Sequence, residues 1–133
     1  MIIDTSALVV LERGMESRTA LALPEEEVGL PAIVWAEALI GVRLADTAQR
    51  AARRRARLEA LRSRLDVIPF TASIAEHYAD IHAELAAQGA PIPQNDVAVA
   101  ATARALGFGV LAGSNDEGHF RRVSSLRVVV LAA

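Results

Sequence analysis

Four acidic side chains carry the chemistry open to this sequence: Asp4, Glu37, Asp96 and Asp116. Asp4 closes the apolar opening "MIID", and Asp116 stands in "SNDEGHF", straight after "GVLAG". Asp96 heads "PIPQNDVAVAATARALG", where Val97 to Ala101 hold nothing that would neutralise it. Glu37 shares one helical face with Ile33, Ile40 and Leu44, beside a stripe of Val34, Ala38 and Gly41. That places Glu37 on a face expected to be buried. A carboxylate there must protonate, pair or bind a metal.

Each acid also has an ordinary reading. Asp4 is able to cap a helix, a job open to Thr5 and Ser6 as well. Asp96 suits the positive end of a helix. Asn115 and Asp116 suit a turn, with Glu117 as a competing carboxylate. Glu37 is an exposed residue if the apolar stripe lies elsewhere.

Taken together, the four change the balance. Two unit charges ~4 Å apart repel by about 4 kcal/mol at an effective dielectric near 20. A cluster of three or four carboxylates therefore needs a cation to stay ionised at neutral pH. The chain has no Cys, which excludes disulfides and thiolate metal sites. Hard oxygen donors favour Mg²⁺ or Mn²⁺ over zinc. His77 and His82 do not have the i, i+4 spacing of a zinc pair and read as surface or packing residues. His119 lies close to Asp116 in sequence and has the reach to touch a substrate, although packing is the plainer reading. An acid-bound cation suits phosphoryl chemistry. No GxSxG elbow and no glycine-rich phosphate loop followed by Lys competes with that kit.

The elements that must position these residues follow from short apolar runs alternating with helical patterns. "MIID", "EVGL", "DVIPF", "FGVLAG" and "RVVVL" read as strands. "TSALVVLERG" reads as a helix stopped by Gly14, with a second short helix over residues 16–23. Pro31 suits a first helical position before "AIVWAEALIGVRLA". "TAQRAARRRARLEALRSRL", "TASIAEHYADIHAELAAQG" and "PQNDVAVAATARALG" complete the helices, the last two ended by glycines. The pattern predicts an α/β fold, a three-layer α/β/α sandwich with a central, mainly parallel sheet. Such sheets bind ligands beyond the carboxyl ends of their strands, which is where Asp4 and Asp116 fall.

Composition supports one packed domain over residues 1–133. Hydrophobic residues make up 53% and charged residues 23%, which argues against disorder. The opening lacks a basic leader region and no uncharged apolar run approaches a membrane span, so a cytoplasmic protein is expected. The net charge of −2 hides an asymmetry. Between Asp46 and Asp66 stand seven Arg and three acids, whereas the rest holds seven Arg and thirteen acids. Gln49, Arg50, Arg53, Arg54 and Arg57 share one broad helical face. It reads either as a solvated face or as a contact surface for RNA phosphates or a protein partner.

"MIIDTSAL", "PAIVWAEALIGV", "PIPQNDVAVAATARALG" and "GVLAGSNDEGHFRRV" together resemble the PIN-domain family, in particular the VapC-type toxins of toxin–antitoxin pairs. The resemblance spans essentially the whole chain. It implies a Mg²⁺- or Mn²⁺-dependent endoribonuclease in which a metal-activated water attacks an RNA phosphodiester in line, leaving a 5′-phosphate and a 3′-hydroxyl. Asp4, Glu37 and Asp96 take the places of the family's core acids, and Asp116 matches the more variable fourth. The family often has Thr-x-Asn or Thr-x-Asp there, against Gly113-Ser114-Asn115-Asp116 here, so Asn115 or Glu117 competes for that role. Thr5 and Ser6 fall where relatives orient the first acid. A VapB-type antitoxin, an RNA substrate and a homodimer are the implied partners. Two other readings stand beside this one. One is a non-catalytic binding module on the same fold. The other is an Asp-nucleophile phosphatase using Asp4, although Ser6 occupies the place of its usual second Asp and no Lys is present.

Overall fold

The computed structural model describes residues 1–18 and 24–132. Five short strands form one sheet: β1 (Ile2–Ile3), β2 (Gly29–Pro31), β3 (Asp66–Ile68), β4 (Val110–Ala112) and β5 (Val128–Val130). Their order is β3-β2-β1-β4-β5 and all four pairings are parallel. The strands are apolar because both faces are covered: Ile2, Ile3, Val110, Leu111 and Ala112 are fully buried. Among the described residues six helices cover it: α1 (Thr5–Ser17), α2 (Ala32–Arg43), α3 (Ala48–Arg62), α4 (Ala72–Ala87), α5 (Gln94–Leu106) and α6 (Glu117–Arg121). Helices α1, α2 and α3 pack against one another, as α5 does against α4 and α6, and α2 also meets α5. This is the three-layer α/β/α arrangement expected, with a sheet that is parallel throughout.

The order of the strands decides where a site forms. From β1 the chain moves to β2 on one side, and later β4 joins β1 on the other. The crevice at such a reversal opens beyond the carboxyl end of β1, where Asp4 follows Ile3. Helix α5 runs under this crevice. Its residues from Asp96 to Ala103 are all buried, and the alanines let it lie close to the sheet. Gly107 ends it in the left-handed region, at φ 72°.

Four readings of the sequence change. Helix α1 continues through Gly14 to Ser17, so that glycine is a buried helical residue and not a stop. The cap is Arg18, at φ 56°. Residues 16 and 17 of the expected second helix belong to α1, and residues 19–23 lie outside the described residues. Pro31 ends β2 and caps α2, one position before the helix begins. Helix α6 was not expected. At five residues it is too short to carry a hydrophobic period, so only its tertiary contacts reveal it.

The basic face is also rearranged. Arg54 and Arg57 turn inward to the buried Glu12 of α1, at 3.2 and 3.4 Å. A Cβ on Gly41 would strike the Arg54 guanidinium, so the glycine makes room for this pair. Arg50 forms an exposed pair with Asp46, one guanidinium nitrogen donating to both carboxylate oxygens. Arg55 and Arg62 lie over the Trp35 ring. Arg53 has no ion pair among the described residues. Of the face that the helical period paints as uniformly basic, Arg54 and Arg57 are thus committed to α1, while Gln49, Arg50 and Arg53 stay exposed.

Candidate metal centre

Asp4 is held where β1 becomes α1. Its backbone N–H donates to Leu111 O at 2.9 Å, which ties it to β4. Its side chain caps α1, accepting from the Ser6 N–H at 3.2 Å and the Ser6 hydroxyl at 2.6 Å. Capping and a place in the crevice are therefore compatible roles for one carboxylate. Ser6 Oγ also accepts from the Gly113 N–H at 2.8 Å, binding the start of α1 to the end of β4. A Cβ on Gly113 would press on the Ser6 backbone at 3.0 Å, so the glycine eases this close approach.

Glu37 comes to the same place by a route that its sequence pattern misassigned. The stripe of α2 that packs inward is Val34, Ala38 and Val42. Ile40 and Leu44, expected to be buried beside Glu37, are 55% and 79% exposed. Glu37 lies on the border of the buried stripe, half-buried, and accepts from the Thr5 hydroxyl at 2.8 Å. The apolar residues that misled the pattern face outward.

Asp96 sits in the first turn of α5 and is 8% exposed. Its Oδ2 lies 2.7 Å from His119 Nδ1 on α6. Asp116, directly before α6, has its Oδ1 3.9 Å from the same nitrogen. Glu117 points elsewhere, to Arg121 at 2.9 Å. Asn115 lines a neighbouring depression. Among the three residues that competed for the fourth position, the fold thus directs Asp116 toward the other acids. His119 is the residue whose part the sequence reading understated. An Asn-Asp loop followed three residues later by His was the available signal, but packing was the plainer reading of it.

Three of the acids, Glu37, Asp96 and Asp116, line a cleft of about 430 Å³ with His119, Pro93, Gln94 and Asn95, while Asp4 is buried close enough to Asp96 to feel its charge. Their electrostatics record the crowding. Burial pushes the Asp4 carboxyl up from 3.8 to about 6; the hydrogen bond from Ser6 opposes this and the charge of Asp96 adds to it. Burial likewise raises Asp96; the His119 hydrogen bond works against the rise, and the charges of Asp116 and Glu37 reinforce it. Among the described residues no arginine pairs with any of the four. Asp96, Asp116 and His119 each offer one ligand atom, all within 4.8 Å of one another. Carboxylate oxygens and one imidazole, crowded without an internal cation, fit a hard divalent ion.

His77 and His82 lie on α4 and do not line this cleft; His82 stacks on Tyr78 with ring centroids 6.5 Å apart. No described helix is long and apolar enough to cross a membrane.

The chain matches the family model described as PIN domain over residues 1–126. The tRNA(fMet)-specific endonuclease VapC of Shigella flexneri is 37% identical over 83 residues, 62% of this chain and 61% of that protein. Ribonuclease VapC1 of Rickettsia felis is 30% identical over 133 residues, 100% of this chain and 97% of that protein. Among solved structures, VapBC2 from Rickettsia felis bound to a DNA fragment from their promoter superposes with a TM-score of 0.78. That alignment covers 97% of this chain and 96% of the other at 22% identity, a likeness of fold.

Proposed function

Because the chain belongs to the PIN-domain family, we propose that it is a metal-dependent endoribonuclease, with residues 1–133 acting as one unit, and the toxin of a toxin–antitoxin pair. The observation that carries the reading is the gathering of Glu37, Asp96 and Asp116 in one cleft, with buried Asp4 feeling the charge of Asp96 and no arginine paired with any of the four among the described residues. The ribonuclease names of the relatives support RNA as substrate, and the VapBC assembly supports a VapB-type antitoxin as partner. The implied homodimer and cytoplasmic location belong to the same reading.

Asp4, Glu37, Asp96 and Asp116 would hold Mg²⁺ or Mn²⁺. When bound, that ion supplies Lewis-acid activation of a water and neutralises charge on the phosphodiester. The chain's own residues do the positioning. Ser6 holds Asp4 by two hydrogen bonds and Thr5 fixes one oxygen of Glu37. His119 fixes one oxygen of Asp96 and leaves the other free for the cleft. The burial of Asp4 and Asp96 keeps water from screening them, which strengthens any cation they meet.

The test is cleavage of labelled total RNA by antitoxin-free protein in Mg²⁺, Mn²⁺ or EDTA, with Asp96→Asn beside the wild type. Discrete cuts that vanish in EDTA and in the variant support the nuclease. Absence of cleavage together with absence of Mn²⁺ binding by calorimetry would sink it and leave the non-catalytic binding module in its place.

A further inference from the structure

We propose that the depression on the far side of Asp116 from the acidic cleft is a subsite for one nucleoside of the RNA strand, and that it governs where the strand is cut. This inference rests on the nuclease reading above. The acids act on a phosphodiester that every RNA linkage shares, so they cannot choose between sequences. Choice requires a base to leave its stack and meet side chains that offer a flat apolar face and hydrogen bonds to its edge.

The depression has that chemistry. Its volume is about 500 Å³, within the usual range of small-ligand sites. Asp116 lines both it and the acidic cleft, and its wall includes Thr5, whose hydroxyl holds Glu37. A group seated in it is therefore the immediate neighbour of a phosphate held at the acids. Val9 and Val10 of α1 with Leu131 make an apolar wall. Ser114 and Asn115 face it from the loop after β4, both exposed and without side-chain hydrogen bonds among the described residues. An amide offers a donor and an acceptor together, the pair needed to read a base edge. The loop is pinned against α1 by Ser6 and Gly113, so its polar wall has a fixed distance from the apolar one. Arg13 also lines the depression, and it is exposed and without an ion pair among the described residues. It suits the phosphate following the seated nucleoside.

The depression between α2, α4 and α5 also adjoins the acidic cleft, through Gln94 and Asn95. It is lined by Ile33, Phe70 and Tyr78 and holds no charged residue, so it lacks the means to fix a phosphate. It serves as the comparison in the test.

The experiment maps cut positions in total RNA by primer extension, in Mg²⁺, for wild type, Val9→Phe, Arg13→Ala and Ala36→Phe. Val9→Phe fills the proposed subsite, and Ala36→Phe fills the other depression. Val9→Phe is expected to move the cut positions or to weaken the preferred one by about 10-fold or more, with Mn²⁺ affinity unchanged. Arg13→Ala is expected to weaken all cuts and to reduce the salt dependence of RNA binding. Ala36→Phe is expected to leave the map as it is. Identical maps for wild type, Val9→Phe and Arg13→Ala overturn the subsite while leaving the nuclease standing, as does a map moved by Ala36→Phe alone. If Val9→Phe fails to fold, Arg13→Ala on the exposed rim decides the matter. If the wild type cuts nothing, the nuclease reading falls and the subsite falls with it.

Discussion

Among the described residues two places bury carboxylates, and they treat them in opposite ways. Glu12, 6% exposed, receives two guanidinium groups from α3. Asp4 and Asp96, 1% and 8% exposed, receive one hydroxyl, a backbone N–H and an imidazole, and face further carboxylates. Both places break the rule that apolar residues fill the interior. The first closes its charge account within the chain, so it serves the docking of α1 on α3. The second leaves negative charge unmatched at the mouth of a crevice. A fold gains nothing in stability from that arrangement, so its use lies in what it binds.

The sharpest way to test this contrast is to remove one acid from each place. Asp96→Asn is expected to abolish metal-dependent cleavage, beyond the roughly 10–100-fold that loss of an outer partner at a metal site costs. Thermal unfolding should show that the fold is kept, because the change removes an unfavourable buried charge. Retained cleavage would dissolve the distinction. Glu12→Ala should do the reverse. It leaves two guanidinium groups facing an emptied site, at about 2–4 kcal/mol, the low side of the range because Arg54 and Arg57 stay 30% and 25% exposed. Denaturant titration measures this, and Mn²⁺ binding should survive in whatever fraction stays folded.

A pH titration sharpens the same point without mutation. Asp4 holds its proton up to about pH 6 in the folded state, against 3.8 for the free group. Between those values the folded chain binds more protons than the unfolded one, so stability falls as pH rises from about 4 through 6 and stays lower above it. The loss from Asp4 alone is about 3 kcal/mol at most. Asp96, also raised, adds in the same direction. Chemical denaturation of the metal-free protein at pH 4, 5, 6 and 7 reads this slope. Added Mn²⁺ should restore stability at pH 7 and do little at pH 4. A slope of the opposite sign would mean that the acids are already compensated. The smallest effect belongs to Thr5→Val, which frees one Glu37 oxygen. A loss of about 10-fold in Mn²⁺ affinity is expected by calorimetry, with unfolding unchanged.

Much of this was present in the residues themselves. Alternating apolar runs and capped helices specify a parallel α/β sheet, because each run is too short and too apolar to stand exposed on either face. Thr71, Gly89 and Gly107 mark their helix ends by local chemistry that needs no partner. Asp4 and Asp116 were placed by following strands, and Asp96 by its isolation at the head of a buried helix. Glu37 stands out in the sequence through a stripe that the structure exposes to solvent at Ile40 and Leu44.

What the sequence could not determine were the matters settled between distant segments. Periodicity says that a face is basic, but not that Arg54 and Arg57 turn to a glutamate more than forty residues away. It cannot show a five-residue helix, and so it could not bring His119 within 2.7 Å of Asp96. Nor could it choose among Asn115, Asp116 and Glu117, since one residue of register turns a side chain toward a different neighbour. Local propensity acts over one or two turns of chain. The direction of a half-buried polar side chain depends on which other segment arrives beside it, and the packing of the sheet decides that.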